Sequence, residues 1–513
     1  MSSHNNTEEF RTKEGFLWTP SGSTEGLLTR SVVASTTRTE LSYDVIVIGA
    51  GFAGLVAARD LSKTSQAKVL LIEARDRIGG RTWTSHEFGE DIEMGGTWVH
   101  WYASLAGLSQ PHTFSELVRY GLDKKLKPTI ASINPAQNTH TFDSKVEEIS
   151  AEFSAKLEKI AEEFCTIDGY TSRELLPYPH DPFREPCQWR KYDKMSAQER
   201  LDQMSVPEKE KDVFKAYIGL YGLCSTKEMS FYEVLRWYAI CGHSLAGVLE
   251  CTSAYKLGSG GMTSFAQAIL GEFKGDRLFS TEVSEIKQGG TTAQIITASG
   301  QQISASKPKN TLLPHHGNVL IPRAFYRNCL SDIKFSPPLS ALRTEAARHG
   351  HQNYGEKFHF KLGDVDPLWF KTVSIDHSSP YLIGFADHNG SHEATKGTFV
   401  VLGAKSGSVP DIKDADRLVD DFKRNVRPGA DVQAYLIHDW AADPYSKGAW
   451  SCWAPLAMTT YLHELQKPHG RILFASADWA NGWRGFIDGA LESGKRAASH
   501  AQVILDAHIT GHL

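Results

Sequence analysis

Three glycines near the start of the chain have the spacing of a phosphate-binding turn. Gly49, Gly51 and Gly54 form the pattern G-x-G-x-x-G directly after a run of β-branched residues, with Ala53 inside the turn. In such a turn the first glycine permits a tight bend, the second lets the backbone approach a pyrophosphate, and the third lets the helix pack closely on the strand. The N-terminus of the helix favours an anion. The sequence therefore predicts a dinucleotide site.

An acidic residue at the end of the next apolar run narrows the choice of dinucleotide. Glu73 follows Gly54 at a spacing of about 20 residues, where a carboxylate accepts hydrogen bonds from ribose hydroxyls. Because the same carboxylate would repel a 2′-phosphate, we expect FAD or NAD rather than NADP.

The residues after Glu73 favour FAD. The segment Glu73–Arg81 (EARDRIGGR) places two glycines and three arginines behind the ribose acid. Backbone N–H groups of the glycines, with Arg75 or Arg81, can neutralise a second stretch of pyrophosphate. A later cluster, GGTW, can lie close to a flat ring, and no second G-x-G-x-x-G suggests a separate NAD(P)H site. The FAD-binding residues predicted in these segments are Ala74, Arg75, Gly80, Arg81, Gly95, Gly96, Thr97 and Trp98.

A strand, a turn and a helix must position these residues. Tyr43–Gly49 (YDVIVIG) and Lys68–Glu73 (KVLLIE) are short apolar runs, which predict two buried strands. Between them, Phe52–Ser62 has apolar residues at helical spacing. The order strand, turn, helix, strand is that of a dinucleotide-binding unit.

The rest of the chain predicts a mixed α/β protein. Residues 1–40 lack sustained apolar periodicity and predict a mostly irregular N-terminal arm. Largely helical stretches are predicted over 143–164, 197–270 and 486–506. Strands are predicted within 281–304, 357–362, 381–403 and 431–440.

Composition excludes several classes of function. The chain has 513 residues, 41% of them hydrophobic and 22% charged, which is typical of a multidomain globular protein. A net charge of −5 gives no reason to expect nucleic acid or an acidic membrane surface as a partner. No stretch approaches the ~20 apolar residues of a membrane span. Seven scattered cysteines without a CxxC pair argue against a disulfide scaffold or zinc site.

Seven segments spread over most of the chain form a recognisable set. They are VIVIGAGFAGLVAARDL (45–61), EARDRIGGRTW (73–83), EMGGTWVHW (93–101), RKYDKMS (190–196), KFSPPLS (334–340), DPYSKGAW (443–450) and SADWANGWRGFIDGALESGKRAA (476–498). Together they resemble the flavin monoamine oxidase family, and within it the soluble fungal type. The first three segments are shared with many flavin oxidases, and the last two taken together are much more specific.

The resemblance implies a fold of two units. One is a Rossmann-like FAD-binding domain of the glutathione-reductase-like type, assembled from 41–120, 256–345 and 451–513. The other is an inserted α+β substrate domain formed by 121–255 and 346–450.

The resemblance also implies a reaction. A small primary amine is oxidised by hydride transfer to flavin N5, and with oxygen and water gives aldehyde, ammonia and hydrogen peroxide through an imine. Trp450 and Phe486 match the two aromatic residues that align the amine beside the flavin. Lys357 matches the lysine that holds a water against N5 and assists reoxidation. A lysine on the wall of a pocket that excludes water should have a lowered pKa.

Further contacts with FAD are carried over from the family. The backbone of Val283 would meet the adenine, and Asp478, Trp483 and Ile487 would lie near the pyrophosphate, ribityl chain and ring. Ala449 stands where the animal enzymes have a cysteine bonded to the flavin, so we expect non-covalent FAD.

One segment departs from the family pattern. Lys307–Cys329 contains extra residues, two histidines and a basic patch where the family has a strand and a short turn. His315 and His316 are adjacent and do not share one face of an element, so no metal site is expected. Because family members place this segment near the cofactor, a flavin-binding paralogue with impaired activity stays an alternative.

The sequence leaves the substrate and the location of the protein open. An amine oxidase tailored to one secondary metabolite, a polyamine oxidase and an amino-acid oxidase all stay possible, because neither an acidic funnel nor a carboxylate-binding cation can be located. The C-terminal Gly511-His512-Leu513 weakly resembles a peroxisomal signal, so the cytoplasm or the peroxisome is expected. The sequence does not decide whether the chain forms homo-oligomers.

Overall fold

The fold is described from a computed structural model. It describes residues 8–37, 39–64, 67–100, 110–142, 145–289, 292–305, 318–322, 332–351, 353–388, 390–393 and 395–509.

A five-stranded parallel sheet carries the glycine turn. All neighbouring strands in it run parallel, and three of them are fully apolar and buried, as expected for strands that are covered on both faces. The helix Phe52–Thr64 packs against the long C-terminal helix Ile487–Ile509 beside this sheet. The strands, in spatial order, are Asp276–Leu278, Val69–Ile72, Val45–Ile48, Asn318–Pro322 and Ile472–Ala475.

A nine-stranded mixed sheet forms the other large unit. Its centre, around Glu356–Leu362, packs on an aromatic cluster that includes Phe358, Phe360 and Tyr435. The strands, in spatial order, are Lys145–Glu148, Gln137–Phe142, Trp369–Val373, Tyr381–Asp387, Phe399–Ala404, Glu356–Leu362, Val432–Ile437, Phe16–Thr19 and Gly22–Glu25.

The remaining strands form small sheets. A five-stranded sheet contains Lys334–Ser336, Val283–Gly289, Thr292–Thr297, Gln302–Ala305 and Ser42–Tyr43. The two-stranded pairs are Phe10–Arg11 with Leu28–Thr29, Thr84–Ser85 with Ile92–Glu93, Leu126–Pro128 with Tyr255–Leu257, and Val365–Asp366 with Thr395–Lys396.

Helices cover both units. In the described part of the chain, none of them combines the length and the apolar character that a membrane crossing requires. Beside the two helices already named, the α-helices are Pro111–Arg119, Ile130–Ile133, Ala151–Phe164, Ser172–Leu175, Ala197–Asp202, Glu208–Gly219, Phe231–Ile240, Leu245–Ser253, Gly261–Gly271, Ala341–His349, Ala415–Asn425 and Ala457–Gln466. Short 3-10 helices span Glu87–Gly89, Asp123–Lys125, Gln188–Tyr192 and Ala477–Trp479.

The mixed α/β fold and the strand–turn–helix–strand order are confirmed. The strands Val45–Ile48 and Val69–Ile72 and the helix Phe52–Thr64 lie where the sequence predicts them. The strands of the parallel sheet come from three separated parts of the chain. The division of the chain into two domains stays a prediction.

The prediction of an irregular arm over residues 1–40 is wrong for residues 10–29. Phe16–Thr19 pairs with Val432–Ile437 at the edge of the nine-stranded sheet, and Gly22–Glu25 pairs back on it as a hairpin. Such short strands have little local signal, because the edge that they extend lies more than 400 residues away.

Two helical predictions are wrong over a few residues. Lys145–Glu148 and Tyr255–Leu257 are strands, again because each pairs with a partner strand. Within the atypical segment 307–329, the described part is the strand Asn318–Pro322, between Val45–Ile48 and Ile472–Ala475 in the parallel sheet. The other residues of this segment, including His315 and His316, lie outside the described residues, as do Gly511–Leu513.

Candidate active site

The two glycine turns lie against each other at the edge of the parallel sheet. Gly49 has a φ of 117° and Gly80 a φ of 61°, conformations that favour glycine. The N–H of Gly79 donates to the carbonyl of Ala50 at 2.9 Å. A Cβ at Gly80 would lie 3.2 Å from the Cα of Gly51. The turns therefore form one backbone cradle with no room for side chains between them.

Glu73 lies at the base of this cradle. Its side chain is buried and accepts hydrogen bonds from the N–H groups of Ala50, at 2.6 Å, and Arg75, at 2.8 Å. Each carboxylate oxygen keeps a further lone pair for another donor. The position of the acid beside the first turn is that predicted for the ribose acid.

Arg81 and Arg75 have different surroundings. Arg81 donates to the carbonyl of Ala449 at 2.6 Å and to the carboxylate of Asp478 at 3.0 Å, and it lines the cavity. The Arg75 guanidinium is buried and is held by Glu14 and Asp443 at 2.6 Å each. Two carboxylates already balance Arg75, so Arg81 is the better candidate to neutralise a pyrophosphate.

Hydrogen bonds from Lys357 connect the segment that contains Gly95 and Gly96 to the nine-stranded sheet. It lies on the strand Glu356–Leu362, and its Nζ donates to the carbonyls of Glu93, at 2.9 Å, and Gly95, at 3.0 Å, and to Thr97 Oγ1 at 2.5 Å. The Nζ also lies 4.9 Å from the ring centroid of Trp98. A residue that alternation alone would place on an exposed strand face is thus turned into the cavity.

The surroundings of Lys357 disfavour charge. Burial lowers the pKa of Lys357 to about 7, although the Glu93 carboxylate opposes this shift. Burial likewise raises the pKa of Glu93. Neighbouring His359 shares the Glu93 carbonyl at 2.9 Å, and its pKa is lowered to about 3 by burial. Near neutral pH, Lys357 can therefore exchange a proton with a group in the cavity.

Trp450 and Phe486 line the same cavity from different parts of the chain. Trp450 Nε1 donates to the carbonyl of Tyr221 at 2.8 Å. Phe486 lies directly before the helix Ile487–Ile509, and its ring packs against Trp237 at 4.9 Å and Trp483 at 5.0 Å. Both aromatic side chains are half-buried and line the cavity.

The sequence does not reveal Tyr221 and Trp237 as site residues. Their rings stack at 4.5 Å with an interplanar angle of 7°, behind Phe486 and Trp450. Aromatic residues in a helical stretch usually fill a core, so the sequence gives no reason to single them out. In the structure both line the cavity, Trp237 packs on Phe486, and the carbonyl of Tyr221 accepts from Trp450. Further lining residues that the sequence does not reveal include a polar pair, Thr252 and Ser253, and a larger set of aliphatic and aromatic residues: Tyr217, Leu220, Leu223, Leu245, Val248, Leu249, Phe370, Ile383, Phe385 and Val401.

Most predicted site residues converge on one continuous cavity. Gly54, Asp478 and Trp483 are not part of its lining: Gly54 lies in the helix behind the turn, Asp478 holds Arg81, and Trp483 backs Phe486. The predicted residues that line the cavity are Gly49, Gly51, Ala53, Glu73, Ala74, Arg75, Gly80, Arg81, Gly95, Gly96, Thr97, Trp98, Val283, Lys357, Trp450, Phe486 and Ile487.

Acidic groups are scarce in this cavity. Among the described lining residues, the acidic ones are Glu73, at the glycine turn, and Glu356. Glu356 accepts hydrogen bonds from the N–H groups of Trp440 and Ala441 at 3.2 and 3.1 Å. Burial, helped by Asp439, raises the pKa of Glu356 well above its usual range. Neither residue offers a free charge to a second ammonium group of a substrate.

The cradle fits FAD. Its backbone turns leave space that a Cβ would fill, Glu73 supplies a ribose-binding carboxylate, and Arg81 supplies a cation. The cavity continues from this cradle to Lys357, Trp450 and Phe486.

Residues 52–501 match the model of the family of flavin containing amine oxidoreductases. The chain belongs to this family. It is thus a flavin-containing amine oxidase that binds FAD and oxidises amines. The narrower likeness to soluble fungal enzymes stays a prediction.

Relatives that are 25 to 33% identical cover about nine tenths of the chain. Pseudooxynicotine dehydrogenase from a Pseudomonas species is 33% identical over 459 residues, covering 89% of this chain and 86% of the relative. Nicotine dehydrogenase from Pseudomonas putida is 31% identical over 473 residues, covering 92% and 91%. Amine oxidase B from Sus scrofa is 25% identical over 496 residues, covering 89% and 85%.

Solved structures confirm the fold. Wild-type putrescine oxidase bound to putrescine superposes with a TM-score of 0.71 at 19% identity, covering 90% of this chain and 99% of that one. Cyclohexylamine oxidase from Brevibacterium oxydans gives 0.70 at 17% identity, with the same coverage.

Proposed function

We propose that this amine oxidase acts on small primary amines with an apolar or aromatic body, using non-covalent FAD. The amine, oxygen and water would give aldehyde, ammonia and hydrogen peroxide. The observation that carries this proposal is the convergence of Lys357, Trp450 and Phe486 on the cavity that starts at the glycine turns. Non-covalent binding is supported by Ala449, which lines the cavity and has no group that could bond to a flavin.

The chain's own residues bind and orient the amine. Bound FAD supplies the acceptor for the two electrons that leave the amine. Trp450 and Phe486 line the cavity with apolar rings, and a site that excludes water disfavours the charged ammonium form of the amine. Lys357 Nζ, with its lowered pKa, can hold or release a proton beside Gly95 and Thr97.

The lining supports a substrate with a single amino group. A polyamine carries further ammonium groups, which need carboxylates, and an amino acid carries a carboxylate, which needs a cation. In the described lining, Glu73, Arg75 and Arg81 lie at the glycine turns, while the wall near Trp450 is formed by side chains such as Leu220 and Trp237. An apolar body therefore fits this wall best.

A second candidate is favoured by the names of two relatives. Pseudooxynicotine dehydrogenase and nicotine dehydrogenase are both more than 30% identical over about nine tenths of this chain. Their names indicate dedicated nitrogenous substrates and an electron acceptor other than oxygen. The second candidate is thus a dehydrogenase tailored to one heterocyclic amine.

An activity screen on the purified holoprotein separates the candidates. Benzylamine, n-hexylamine, putrescine and nicotine are each supplied with oxygen and a peroxidase-coupled dye, and in parallel anaerobically with dichlorophenolindophenol. The proposal predicts that benzylamine and hexylamine each give one molecule of peroxide per molecule of aldehyde, and that putrescine gives little peroxide. Dye reduction with nicotine but no peroxide would establish the second candidate and reject the first. Putrescine as the best substrate would reject the single-amine argument.

A further inference from the structure

A single carboxylate of the N-terminal segment bridges two arginines of the cofactor cradle. Glu14 Oε1 accepts from Arg75 Nε at 2.6 Å, and Glu14 Oε2 accepts from Arg77 Nε at 2.5 Å. The side chains of Arg75 and Arg77 are 6% and 0% exposed, and that of Glu14 is 16% exposed. The charges of Glu14, Arg75 and Arg77 are thus largely shielded from water, in the loop that follows Glu73.

Arg77 also contacts the second glycine turn, so it links Glu14 to that turn. Its Nη1 donates to the carbonyl of Gly80 at 2.7 Å, and its guanidinium lies 4.6 Å from the ring centroid of Trp83. Gly80 is the residue whose Cα faces Gly51 across the cradle. The position of the Gly80 peptide therefore depends on an arginine that Glu14 holds.

Arg75 connects the same carboxylate to the nine-stranded sheet. Its Nη2 donates to Asp443 at 2.6 and 2.8 Å. Glu14 precedes the strand Phe16–Thr19 and Asp443 follows the strand Val432–Ile437, and these two strands are antiparallel neighbours. The start of Phe16–Thr19 and the end of Val432–Ile437 lie side by side. They therefore bring both carboxylates to Arg75, where the nine-stranded sheet meets the loop after the parallel-sheet strand Val69–Ile72.

The network is balanced within itself. Burial alone would raise the pKa of Glu14, but Arg77 and Arg75 outweigh burial and hold its pKa below the usual range. Glu14, His438 and Asp443 are close enough to hold a metal ion. Because Arg75 and Arg77 already neutralise both carboxylates, these residues are an ion-pair network rather than a metal site. Removing one partner would leave a buried charge uncompensated.

Backbone and side-chain contacts add to the attachment of this segment. Thr12 Oγ1 donates to Asp76 Oδ1 at 2.7 Å, on the loop between the two arginines. On the other side of the loop, the N–H of Ile78 donates to the carbonyl of Ser31 at 3.0 Å. The segment from Thr12 to Ser31 therefore encloses the loop that forms one wall of the cradle.

We propose that Glu14 is a positioning residue of the FAD site, through which the N-terminal segment holds the second glycine turn in the shape that receives the cofactor. Glu14 is not part of the cavity lining that includes the glycine turns, so it acts through Arg75 and Arg77. A neutral amide in its place keeps the shape but removes the charge that both arginines require.

Equilibrium binding of FAD to the apoprotein tests this role. The variant Glu14→Gln is compared with the wild type and with Glu25→Gln. Glu25 is at the end of the hairpin that follows Glu14, its side chain is 74% exposed, and it pairs with Lys413. The Kd is measured by quenching of FAD fluorescence, and unfolding midpoints are measured with and without saturating FAD. We expect Glu14→Gln to raise the Kd at least about tenfold, which corresponds to about 1.4 kcal/mol, and to reduce the FAD-induced rise of the midpoint. Glu25→Gln should stay within about twofold of wild type.

A purely structural role gives a different result. In that case Glu14→Gln lowers the midpoints of apoprotein and holoprotein equally and leaves the Kd unchanged, which overturns the proposal. If Glu14→Gln does not yield folded protein, Arg77→Lys decides. This variant keeps the positive charge but lacks the planar fork that reaches both Glu14 and the Gly80 carbonyl. A raised Kd supports the proposal, and a wild-type Kd for Arg77→Lys rejects it.

Discussion

The two halves of the proposed active-site cavity differ in how they are built. The cofactor cradle consists of backbone turns and one acid within residues 49–81, and its geometry comes from glycine conformations and short-range hydrogen bonds. The substrate wall consists of side chains from helices and strands far apart in the chain, including Tyr221, Trp237, Phe385 and Trp450. We therefore expect substitution of a few cradle glycines to abolish cofactor binding, whereas substitutions in the wall should alter activity by degrees.

The largest expected effect is loss of the cofactor on substitution of a cradle glycine. Gly79 has a φ of 94°, and a Cβ there would lie 2.1 Å from the carbonyl oxygen of Thr82. Gly79→Ala must therefore move the turn, and we expect less than about a tenth of wild-type flavin to remain after gel filtration. Gly89→Ala is the matched control, since Gly89 has a φ of 74° but no atom of the described residues lies within 4 Å of its Cβ position. It should cost only about 1 kcal/mol of stability. Equal flavin retention in both variants would remove the argument for a rigid cradle.

The next effect concerns the lysine at the boundary between cradle and wall. Lys357→Met removes the buried donor beside Gly95 and Thr97. We expect oxygen to reoxidise the amine-reduced enzyme about a hundredfold more slowly, because a positioned cation or donor in a dry site stabilises developing negative charge. Stopped-flow absorbance measures this rate.

A lysine on the same strand is the control for this prediction. Lys361→Met changes a side chain that lies over the ring of Phe88 and not in the cavity lining. Its reoxidation rate should match wild type. If Lys357→Met also reoxidises at the wild-type rate while it retains flavin, Lys357 only fastens the glycine cluster.

A smaller effect is expected in the substrate wall. Phe486→Leu keeps an apolar side chain but removes the ring that packs on Trp237 and Trp483. Anaerobic reduction by benzylamine should slow about tenfold because the amine is held less well, while flavin content stays unchanged. Phe422→Leu, a fully buried ring that stacks on Phe360 in the nine-stranded sheet, should lower stability but leave the reduction rate intact. Loss of flavin from Phe486→Leu would contradict the division into cradle and wall.

The last prediction is a pH dependence of the free energy of unfolding in the apoprotein. Burial lowers the pKa of Lys357 to about 7, against about 10.4 in an unfolded chain. Between these values the unfolded chain holds one proton more at this residue, so the free energy of unfolding should rise with pH by at most about 1.4 kcal/mol per unit. Lys357→Met should lack this contribution. Denaturant unfolding from pH 7 to 10 measures it, and a stability difference between the proteins that does not change with pH would refute the lowered pKa.

The cradle could be predicted from the sequence because its parts are close together. Gly49, Gly51, Gly54 and Glu73 lie within one strand–turn–helix–strand unit, so spacing alone fixes their arrangement. The wall could not be predicted in this way. Lys357 is identified only through the family resemblance, since strand alternation would leave it in solvent. In the sequence, Trp237 resembles any core aromatic residue.

The N-terminal segment shows the same limit. The strand Phe16–Thr19 exists because it pairs with Val432–Ile437, and Glu14 matters because that pairing brings it to Arg75 and Arg77. Neither pairing has a local signal. For this reason the sequence predicts Arg75 only as a cofactor-binding residue. In the structure Arg75 lines the cavity and its guanidinium also binds Glu14 and Asp443, which flank two strands of the nine-stranded sheet.

The central claim is that the cradle and the aromatic wall together form the active site of an FAD-dependent amine oxidase. Anaerobic titration of the purified holoprotein with benzylamine, followed by visible absorbance, tests it most directly. We predict that the flavin absorption band near 450 nm disappears with one equivalent of amine per flavin and returns when oxygen is admitted. A flavin band that persists with benzylamine and with every other amine in the panel would contradict the claim.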